Sequence, residues 1–391
     1  MNSLRPVLII GIAALLGALV LVTAIFQMPP ARRPLEVGRL WPTHPVALTE
    51  RGMTELGMAA GDNRPLSSET LKRIAQLARS APLAVEPLLI HGALAQIDGR
   101  QAQAEALFSE ARRRDPRSAA ARYFLANRYL ETGRVVEGLH QVAVLSRLVP
   151  GASTSFIPAV AAFAQTKGAV PQLRAFFIQS PELEPDVLVA LAADARNADL
   201  ILALASKPRS AAPNTAWRST IVAKLVEAGA FAKAYAVWQR LANVDAAPGL
   251  FNPRFLPLDA PPPFNWTLAT QGGGIAEPTA GGLRVVHYGR ETVVLASQLM
   301  VLPSGAYRLG FRLGGEPNDG MRWTVKCIPA GSDILALPLP SVGNRMVAGR
   351  FVVPASGCAA QRIDLSAAIS DEPKTVEMTI SELALSRVGQ R

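Results

Sequence analysis

The sequence predicts a multidomain α + β chain with an N-terminal transmembrane helix, an α-solenoid of paired helices and a C-terminal antiparallel β-sandwich of jelly-roll type. Three observations carry this prediction: an uncharged apolar run near the amino terminus, a pattern that recurs after thirty-four residues, and a switch to two-residue alternation after a proline-rich segment. At 391 residues, 49% of them hydrophobic, the chain is long enough for two domains, each with its own core.

The apolar run covers residues 7–26 and is long enough to cross about 30 Å of hydrocarbon as a helix. Cleaved signal peptides usually have a shorter apolar region, of about 7–15 residues, so an uncleaved anchor is favoured. Val22-Thr23-Ala24 is a passable cleavage site, and cleavage is the alternative. Residues 1–30 are therefore predicted to be an anchor or signal segment, and residues 31–45 a tether.

A pattern recurs between residues 88 and 150 at a spacing of thirty-four residues. Asp98-Gly99-Arg100 returns as Thr132-Gly133-Arg134, and Pro116 returns as Pro150. Apolar residues at helical spacing lie between these turn signals, which predicts two pairs of antiparallel helices. The small residues that would allow close approach, and the aromatic residues that would fill the space between pairs, are Gly92, Ala104, Ala126, Gly138, Phe108 and Tyr129.

This pattern resembles the tetratricopeptide-repeat family. In the first unit the family's large, small, aromatic and terminating positions are held by Leu88, Gly92, Ala95, Ala104, Phe108, Ala111 and Pro116. The resemblance is specific over residues 85–150 and looser over the whole predicted helical domain, residues 46–247. It implies a stack of helix pairs, because no single pair covers its own apolar face, and it implies binding rather than catalysis.

In this family the first helices of the pairs line a concave groove. The resemblance therefore implies a groove for a protein partner at Glu86, Gln96, Tyr123 and Asn127, with Leu89, Ala93, Ala120 and Leu130 beside them. Such a groove would hold an extended peptide or a helix, and a groove filled by the chain itself is the alternative.

The charge of the chain is +10, with a pI near 10.1, which favours anionic partners such as phospholipid headgroups or acidic polysaccharide. No nucleic-acid partner is expected, because the basic residues are dispersed and the composition is typical of a GC-rich bacterial genome. Four arginines, Arg112, Arg113, Arg114 and Arg117, cluster at the end of one predicted helix. The helix dipole explains them, and an acidic docking partner is the alternative.

Proline is concentrated in residues 248–263, which predicts a linker, because such a segment suits neither a helix nor a central strand. Beyond it, residues 264–391 alternate apolar and polar positions between turn signals, which predicts a β-sandwich domain. The candidate strands are 264–269, 283–287, 292–300, 305–313, 322–327, 334–337, 346–353, 361–365 and 376–387. Their order resembles the galactose-binding-like and carbohydrate-binding-module sandwiches.

Glycan binding by this sandwich is the alternative function. The candidate residues near a strand end and in a loop are His287, Tyr288, Arg290, Asn318 and Asp319. Trp323 is expected in the core instead, because it alternates with Val325 and Cys327 on one face of a strand.

The chain has two cysteines, Cys327 and Cys358, both in the predicted sandwich. A lone pair in one small domain indicates a disulfide formed in an oxidising compartment, and two unrelated buried thiols are the alternative. With the apolar run, this predicts a single-pass protein of the bacterial inner membrane with most of the chain in the periplasm. Arg32 and Arg33, taken alone, would favour a cytoplasmic body.

No nucleophile, phosphate-binding or metal-ligand motif is present in the sequence, and the four histidines are scattered. We therefore expect no enzymatic activity, no metal and no cofactor. The sequence predicts a non-catalytic scaffold or adaptor that binds a protein partner through the helical groove, in envelope or surface-polysaccharide assembly. The alternative is a glycan-binding protein that uses the solenoid as a positioning arm.

Overall fold

The computed structural model describes residues 51–389 apart from 53, 56, 60, 63–65, 81, 206–215, 318–319, 342 and 370–373. The predicted anchor, the tether and the start of the predicted helical domain lie outside the described residues. Within them, no helix combines the length and the apolar character that crossing a membrane requires. This finding corrects the predicted localisation, because a single-pass inner-membrane protein is not supported.

The chain divides into two compact units, Met1–Ala159 and Val160–Arg391. The proline-rich segment 248–263, predicted as the linker between domains, lies inside the second unit. The second unit therefore contains the later helices together with the whole β-sandwich.

The first unit contains repeated helix pairs. Its helices include α1 (Ser68–Ser80), α2 (Glu86–Ile97), α3 (Gln101–Arg114), α4 (Ala119–Glu131) and α5 (Val135–Leu148). Gly99 ends α2 and Gly133 ends α4, each in the left-handed region with φ of 75°. The residue after each glycine donates its backbone amide to the carbonyl five positions earlier. Arg100 donates to Ala95, and Arg134 donates to Tyr129. The thirty-four-residue pattern thus builds the same turn twice.

Shorter helices follow. They are α6 (Ile157–Ala164), which crosses the division between the units, and then α7 (Ala169–Gln179), α8 (Glu184–Ala192), α9 (Ala198–Leu204), α10 (Ala216–Glu227) and α11 (Phe231–Ala242). Three single 3₁₀ turns lie among them, Thr154–Phe156, Pro181–Leu183 and Ala195–Asn197. The described helices lie within the predicted helical domain, residues 46–247.

The C-terminal region is a two-sheet antiparallel β-sandwich, as predicted. Its strands are β1 (Thr267–Leu268), β2 (Gly274–Thr279), β3 (Gly282–His287), β4 (Val293–Met300), β5 (Gly305–Gly315), β6 (Arg322–Pro329), β7 (Asp333–Pro338), β8 (Arg345–Val353), β9 (Cys358–Ala367) and β10 (Val376–Arg387). The first sheet has the order β1-β4-β9-β6-β7, and the second sheet has the order β2-β3-β10-β5-β8.

Two strands differ from the sequence prediction. The predicted strand 264–269 is reduced to the two residues of β1, while β2 was not predicted at all. β2 contains Pro278 and begins at Gly274, and both residues argue against a strand interior. The strand is nevertheless formed because it lies at the edge of the second sheet, where it pairs with β3.

The core of the sandwich lies between the two sheets. Trp323, Val325 and Cys327 are all almost completely buried on one face of β6, as their alternation predicted. Cys327 forms a disulfide with Cys358 on β9, thirty-one residues away. The predicted disulfide is confirmed.

The proline-rich segment is packed against the rest of the second unit. Trp238 on α11 donates from Nε1 to the carbonyl of Pro261 at 2.7 Å. The side-chain amide of Gln298 on β4 makes two hydrogen bonds, each 2.9 Å, with the backbone of Phe251. Phe264 is fully buried, with its ring centroid 5.7 Å from that of Trp238. This segment therefore connects α11 with the sandwich through specific contacts.

Candidate functional site

A groove lies between α2 and α4, the first helices of the two adjacent pairs. It encloses a cavity of about 340 Å³. The residues that line it are Leu89, Ala93, Gln96, Phe108, Ala120, Tyr123, Phe124 and Asn127. On α2 the lining residues are three or four positions apart, and on α4 they recur at the same spacing with Tyr123 and Phe124 side by side, so each helix contributes one face.

Two stacked phenylalanines form the floor of the groove. The rings of Phe108 and Phe124 have centroids 4.0 Å apart and planes inclined by 22°. Phe108 comes from α3 and reaches the floor because Gly92 on α2 leaves room for its ring. A Cβ atom at position 92 would lie only 2.8 Å from Cε2 of Phe108. The floor is therefore apolar and held by close packing.

The rim carries one aromatic ring and two amides. Tyr123 is 48% exposed, and its ring centroid lies 5.0 Å from that of Phe156. Asn127 donates from Nδ2 to Glu131 at 2.7 Å, and its amide oxygen accepts no hydrogen bond from the described residues. The exposed Gln96 side chain likewise makes no hydrogen bond within the described part of the chain. Two side-chain amides, which can donate and accept hydrogen bonds as the peptide backbone does, thus lie at the edge of an apolar cavity.

A cluster of charges fixes the helix pairs that form the groove. Arg134, in the turn after α4, donates two hydrogen bonds of 2.7 Å to the carboxylate of Glu105 on α3. Arg128 on α4 adds a longer ion pair of 3.5 Å to the same carboxylate. The hydrogen bonds from Arg134 hold the pKa of Glu105 below its ordinary value of 4.5. Arg134 also lies over the ring of Tyr129, 4.4 Å from its centroid.

The structure brings together most of the residues predicted for the groove. Gln96, Tyr123 and Asn127 lie in its lining, as do Leu89, Ala93 and Ala120. Glu86 is not in the lining, which corrects that prediction, because it is the first residue of α2 and the lining begins three residues later. Leu130 packs around Gly138 instead, where a Cβ atom would be 2.9 Å from its Cγ. Whether these residues bind a partner stays a prediction.

The floor residues were not predicted as part of the groove. The sequence pattern predicts that Phe108 packs between helix pairs, and it assigns no role to Phe124. Phe124 is adjacent to Tyr123 in the sequence and points to the same cavity. The signal that could have found both residues is the small residue Gly92, because the space that it leaves must be filled by a large neighbour.

The arginine cluster at the end of α3 is partly neutralised by its own helix. Nε of Arg113 and Nε of Arg114 lie 2.6 Å and 2.8 Å from the carboxylate of Glu110. Hydrogen bonds from these two arginines lower the pKa of Glu110 to about 2. Arg114 also donates to the carbonyl of Pro82 at 2.7 Å. Two of the four charges therefore have partners within the chain, and the acidic docking partner is not favoured.

Among the described residues predicted for a glycan site, one is buried in the core and two are at least partly exposed. His287 is completely buried, in phase with Leu283 and Val285 on β3, and its Nε2 lies 3.2 Å from the carbonyl oxygen of Glu291. This corrects the prediction for His287, because a buried ring cannot contact a ligand at the surface. Tyr288 is half-buried and Arg290 is exposed. Asn318 and Asp319 lie outside the described residues.

No protein-family model matches the chain, and no curated protein matches it. Among solved structures, the C-terminal β region is similar to carbohydrate-binding modules. One is a family 4 module with 11% identity and a TM-score of 0.29, a match that covers 36% of this chain and 99% of that one.

Two further modules were solved with bound oligosaccharides. A family 61 module in complex with β-1,4-galactotriose is 18% identical, with a TM-score of 0.26, and the match covers 36% of this chain and 99% of that one. A module from Cellvibrio mixtus lichenase 5A in complex with cellotriose is 16% identical, with a TM-score of 0.20, over 29% of this chain and 91% of that one. Likenesses of this degree assign neither a ligand nor an activity to this chain.

Proposed function

We propose that this protein is a non-catalytic adaptor that holds an extended segment of a partner protein in the groove between α2 and α4. The observation that carries the proposal is the apolar floor of Phe108 and Phe124 beneath a rim with amide groups. The resemblance of residues 85–150 to tetratricopeptide repeats supports it. Such helix stacks expose concave surfaces that serve for binding.

The chemistry of the groove suits an extended peptide with one bulky apolar side chain. A cavity of about 340 Å³ is at the small end of the range of ligand pockets, which suits one anchoring side chain. The side chain would lie on the stacked phenylalanines. The amides of Gln96 and Asn127 would exchange hydrogen bonds with the peptide backbone on either side. A helical ligand would need several anchors at helical spacing, whereas the groove offers one cavity.

Glycan binding by the β-sandwich is the second candidate, and the carbohydrate-binding modules of similar fold are compatible with it. Of the residues predicted for that function, His287 is buried and cannot contact a ligand at the surface.

Site-specific photo-cross-linking in the source cells tests the proposal. A photoreactive amino acid in place of the exposed Tyr123 should capture one partner, and the cross-link should map to an extended segment with a large apolar residue. The matched control places the same group at Ala102, an exposed position on α3 outside the groove lining. Equal products from both positions, or no product from position 123, would contradict the proposal.

A further inference from the structure

The outer face of the second sheet carries two arginines directly opposite each other. Arg308 on β5 and Arg350 on β8 are register partners, and both side chains are exposed. Their neighbours in the strands, Tyr307 and Phe351, are buried in the core. Alternation along the strands therefore points both guanidinium groups outward. These two residues are called the arginine pair.

The arginine pair differs from two other arginines of the same sheet, both of which have acidic partners. Arg284 on β3 forms ion pairs with Glu277 and Glu377, at 3.2 Å and 2.7 Å. Arg312 on β5 forms an ion pair with Glu382 at 2.8 Å. Neither member of the arginine pair has an ion pair or side-chain hydrogen bond with any residue that the structure describes. The acidic residues of these strands are thus already paired, and two positive charges are left together.

The surroundings of the arginine pair are small or aliphatic. Ser386 on β10 is the register partner of Arg308 on its other side, so a hydroxyl extends the row. The next row across the three strands contains Ala384, Gly310 and Ala348, which forms a shelf with almost no side chains. On the opposite side of the arginine pair, two positions after Arg350 on β8, lies Val352, which is 62% exposed.

Like charges directly opposite each other on neighbouring strands destabilise a sheet. An oxyanion between the two guanidinium groups would remove this repulsion and accept several charge-assisted hydrogen bonds. The low shelf allows a bulky ring to approach the backbone beside the charges. No aromatic side chain lies in these rows, so the surface lacks the stacking platform that single-stranded nucleic acids use.

We propose that the arginine pair binds the carboxylate or sulfate groups of an acidic polysaccharide on the outer face of β5 and β8. The shelf of Ala384, Gly310 and Ala348 would lie under the sugar ring, and Ser386 would donate a hydrogen bond to the acid group or a hydroxyl. This site shares no residue with the groove between α2 and α4, so the two binding functions are separable by mutation.

The test measures binding of the full chain to polygalacturonate, which supplies carboxylates, and to dextran sulfate, which supplies sulfates, with neutral dextran as a blank. The double variant Arg308→Gln/Arg350→Gln should bind at least one of the two acidic polymers about tenfold more weakly or worse. The variant should fold, because it removes a repulsion, and an unchanged thermal transition checks this.

The matched control is Arg254→Gln/Arg322→Gln. It removes two exposed arginines of the same unit that also lack ion pairs with the described residues, so the change in net charge is identical. The control should bind like the unaltered chain. Equal weakening in both double variants would reduce the effect to overall charge and overturn the proposal.

Three other results would also overturn it. The first is that the unaltered chain binds neither acidic polymer, and the second is that it binds neutral dextran as tightly as the acidic polymers. The third is that it binds oligo(dT) or polyglutamate as tightly as the acidic polymers, and that this binding also depends on the arginine pair. If the double variant loses affinity for polygalacturonate alone, the site is assigned to uronic acids. If it loses affinity for dextran sulfate alone, the site is assigned to sulfated sugars. The groove variant Ala120→Trp should leave polysaccharide binding intact.

Discussion

At Gly92, the lack of a side chain decides how closely α2 and α3 can pack. Phe108 occupies the space that any larger residue would need, and its ring then stacks on Phe124. One glycine therefore determines both the contact within the first helix pair and the floor of the groove. The effect of substitution should differ from that at a helical glycine with free space.

Gly92→Ala is expected to lower the free energy of unfolding. Overpacking a core costs about 1–3 kcal/mol, while replacing a helical glycine by alanine recovers up to about 1 kcal/mol. The matched control is Gly57→Ala, because Gly57 is also helical and no atom lies within 4 Å of a Cβ placed there. Urea unfolding should show a loss for position 92 and a small gain for position 57. Equal gains at both positions would contradict the packing argument.

Glu105 gives stability a defined dependence on pH. Hydrogen bonds from Arg134 lower its pKa in the folded protein below the ordinary value of 4.5. The contribution to stability is therefore complete above pH 4.5 and is lost as the pH falls through the lower folded value. Glu105→Gln should destabilise the protein at pH 7, and the difference from the unaltered chain should shrink below pH 4.5. A difference that stays constant from pH 7 to pH 3 would contradict this account.

His287 shows how a residue can be misassigned from sequence. Its position near a strand end, next to Tyr288 and Arg290, predicts a contact with a glycan. It also lies two and four residues after Val285 and Leu283, so it shares their inward phase on β3. The alternation was visible in the sequence, but only the pairing of β3 with β2 and β10 shows that both sides of this position are covered.

At the scale of elements, local signals predicted the helices well. The turn at a glycine in the left-handed region and the end of the next helix before a proline can both be predicted from neighbouring residues alone. The groove followed from the resemblance to tetratricopeptide repeats, in which residues three and four apart on the first helices share one face. Glu86 failed because helix phase does not say where along the helix a groove begins.

Strands at sheet edges were harder to predict. The composition of β2, with Pro278 and an initial glycine, argues against a strand. Only its position beside β3, at the end of the sheet order, explains it. The reduction of the predicted strand 264–269 to β1 has a similar cause. Phe264 is buried against Trp238 rather than paired in the sheet.

The disulfide between β6 and β9 should stabilise the sandwich. A crosslink between residues thirty-one positions apart is worth about 3–4 kcal/mol in the chain-entropy model. The double variant Cys327→Ser/Cys358→Ser should lose about that amount in guanidinium unfolding. Dithiothreitol should destabilise the unaltered chain similarly and leave the variant unaffected. No change on reduction would show that the bond contributes little to stability.

At the scale of the whole molecule, a segment that looked like a linker is part of a packed unit. Proline content indicated only that residues 248–263 form neither helix nor central strand. It could not indicate that Trp238 donates to Pro261 or that Gln298 holds Phe251, because these contacts join residues 23 and 47 positions apart. The segment therefore orders the last helix against the sandwich.

Trp238→Phe tests this coupling. The substitution removes the hydrogen bond to Pro261 while keeping an aromatic ring, and it leaves a partly buried carbonyl without its donor. Trypsin should then cleave after the exposed Arg254 faster than in the unaltered chain. Trp217→Phe, on α10, is the matched control and should leave that cleavage rate unchanged. Equal rates in all three proteins would contradict a structural role for the contact.

The two proposed binding surfaces lie in different units and depend on different forces. The groove relies on apolar burial, so peptide binding should vary little with salt. The arginine pair relies on charge, so polysaccharide binding should weaken as salt screens it. A composition with +10 net charge predicts anionic partners in general, but only the register of β5 and β8 shows that Arg308 and Arg350 lie opposite each other.

The most direct test of the adaptor account is the affinity of the cross-linked partner segment, made as a peptide, for two variants. Ala120→Trp fills the groove, and Ala102→Trp adds the same ring at the same second position of a neighbouring helix outside the groove lining. Titration calorimetry should show binding weakened by about tenfold or more for Ala120→Trp, which is about 1.4 kcal/mol, and unchanged for Ala102→Trp. Equal affinity for both variants would contradict the claim that the groove holds the partner.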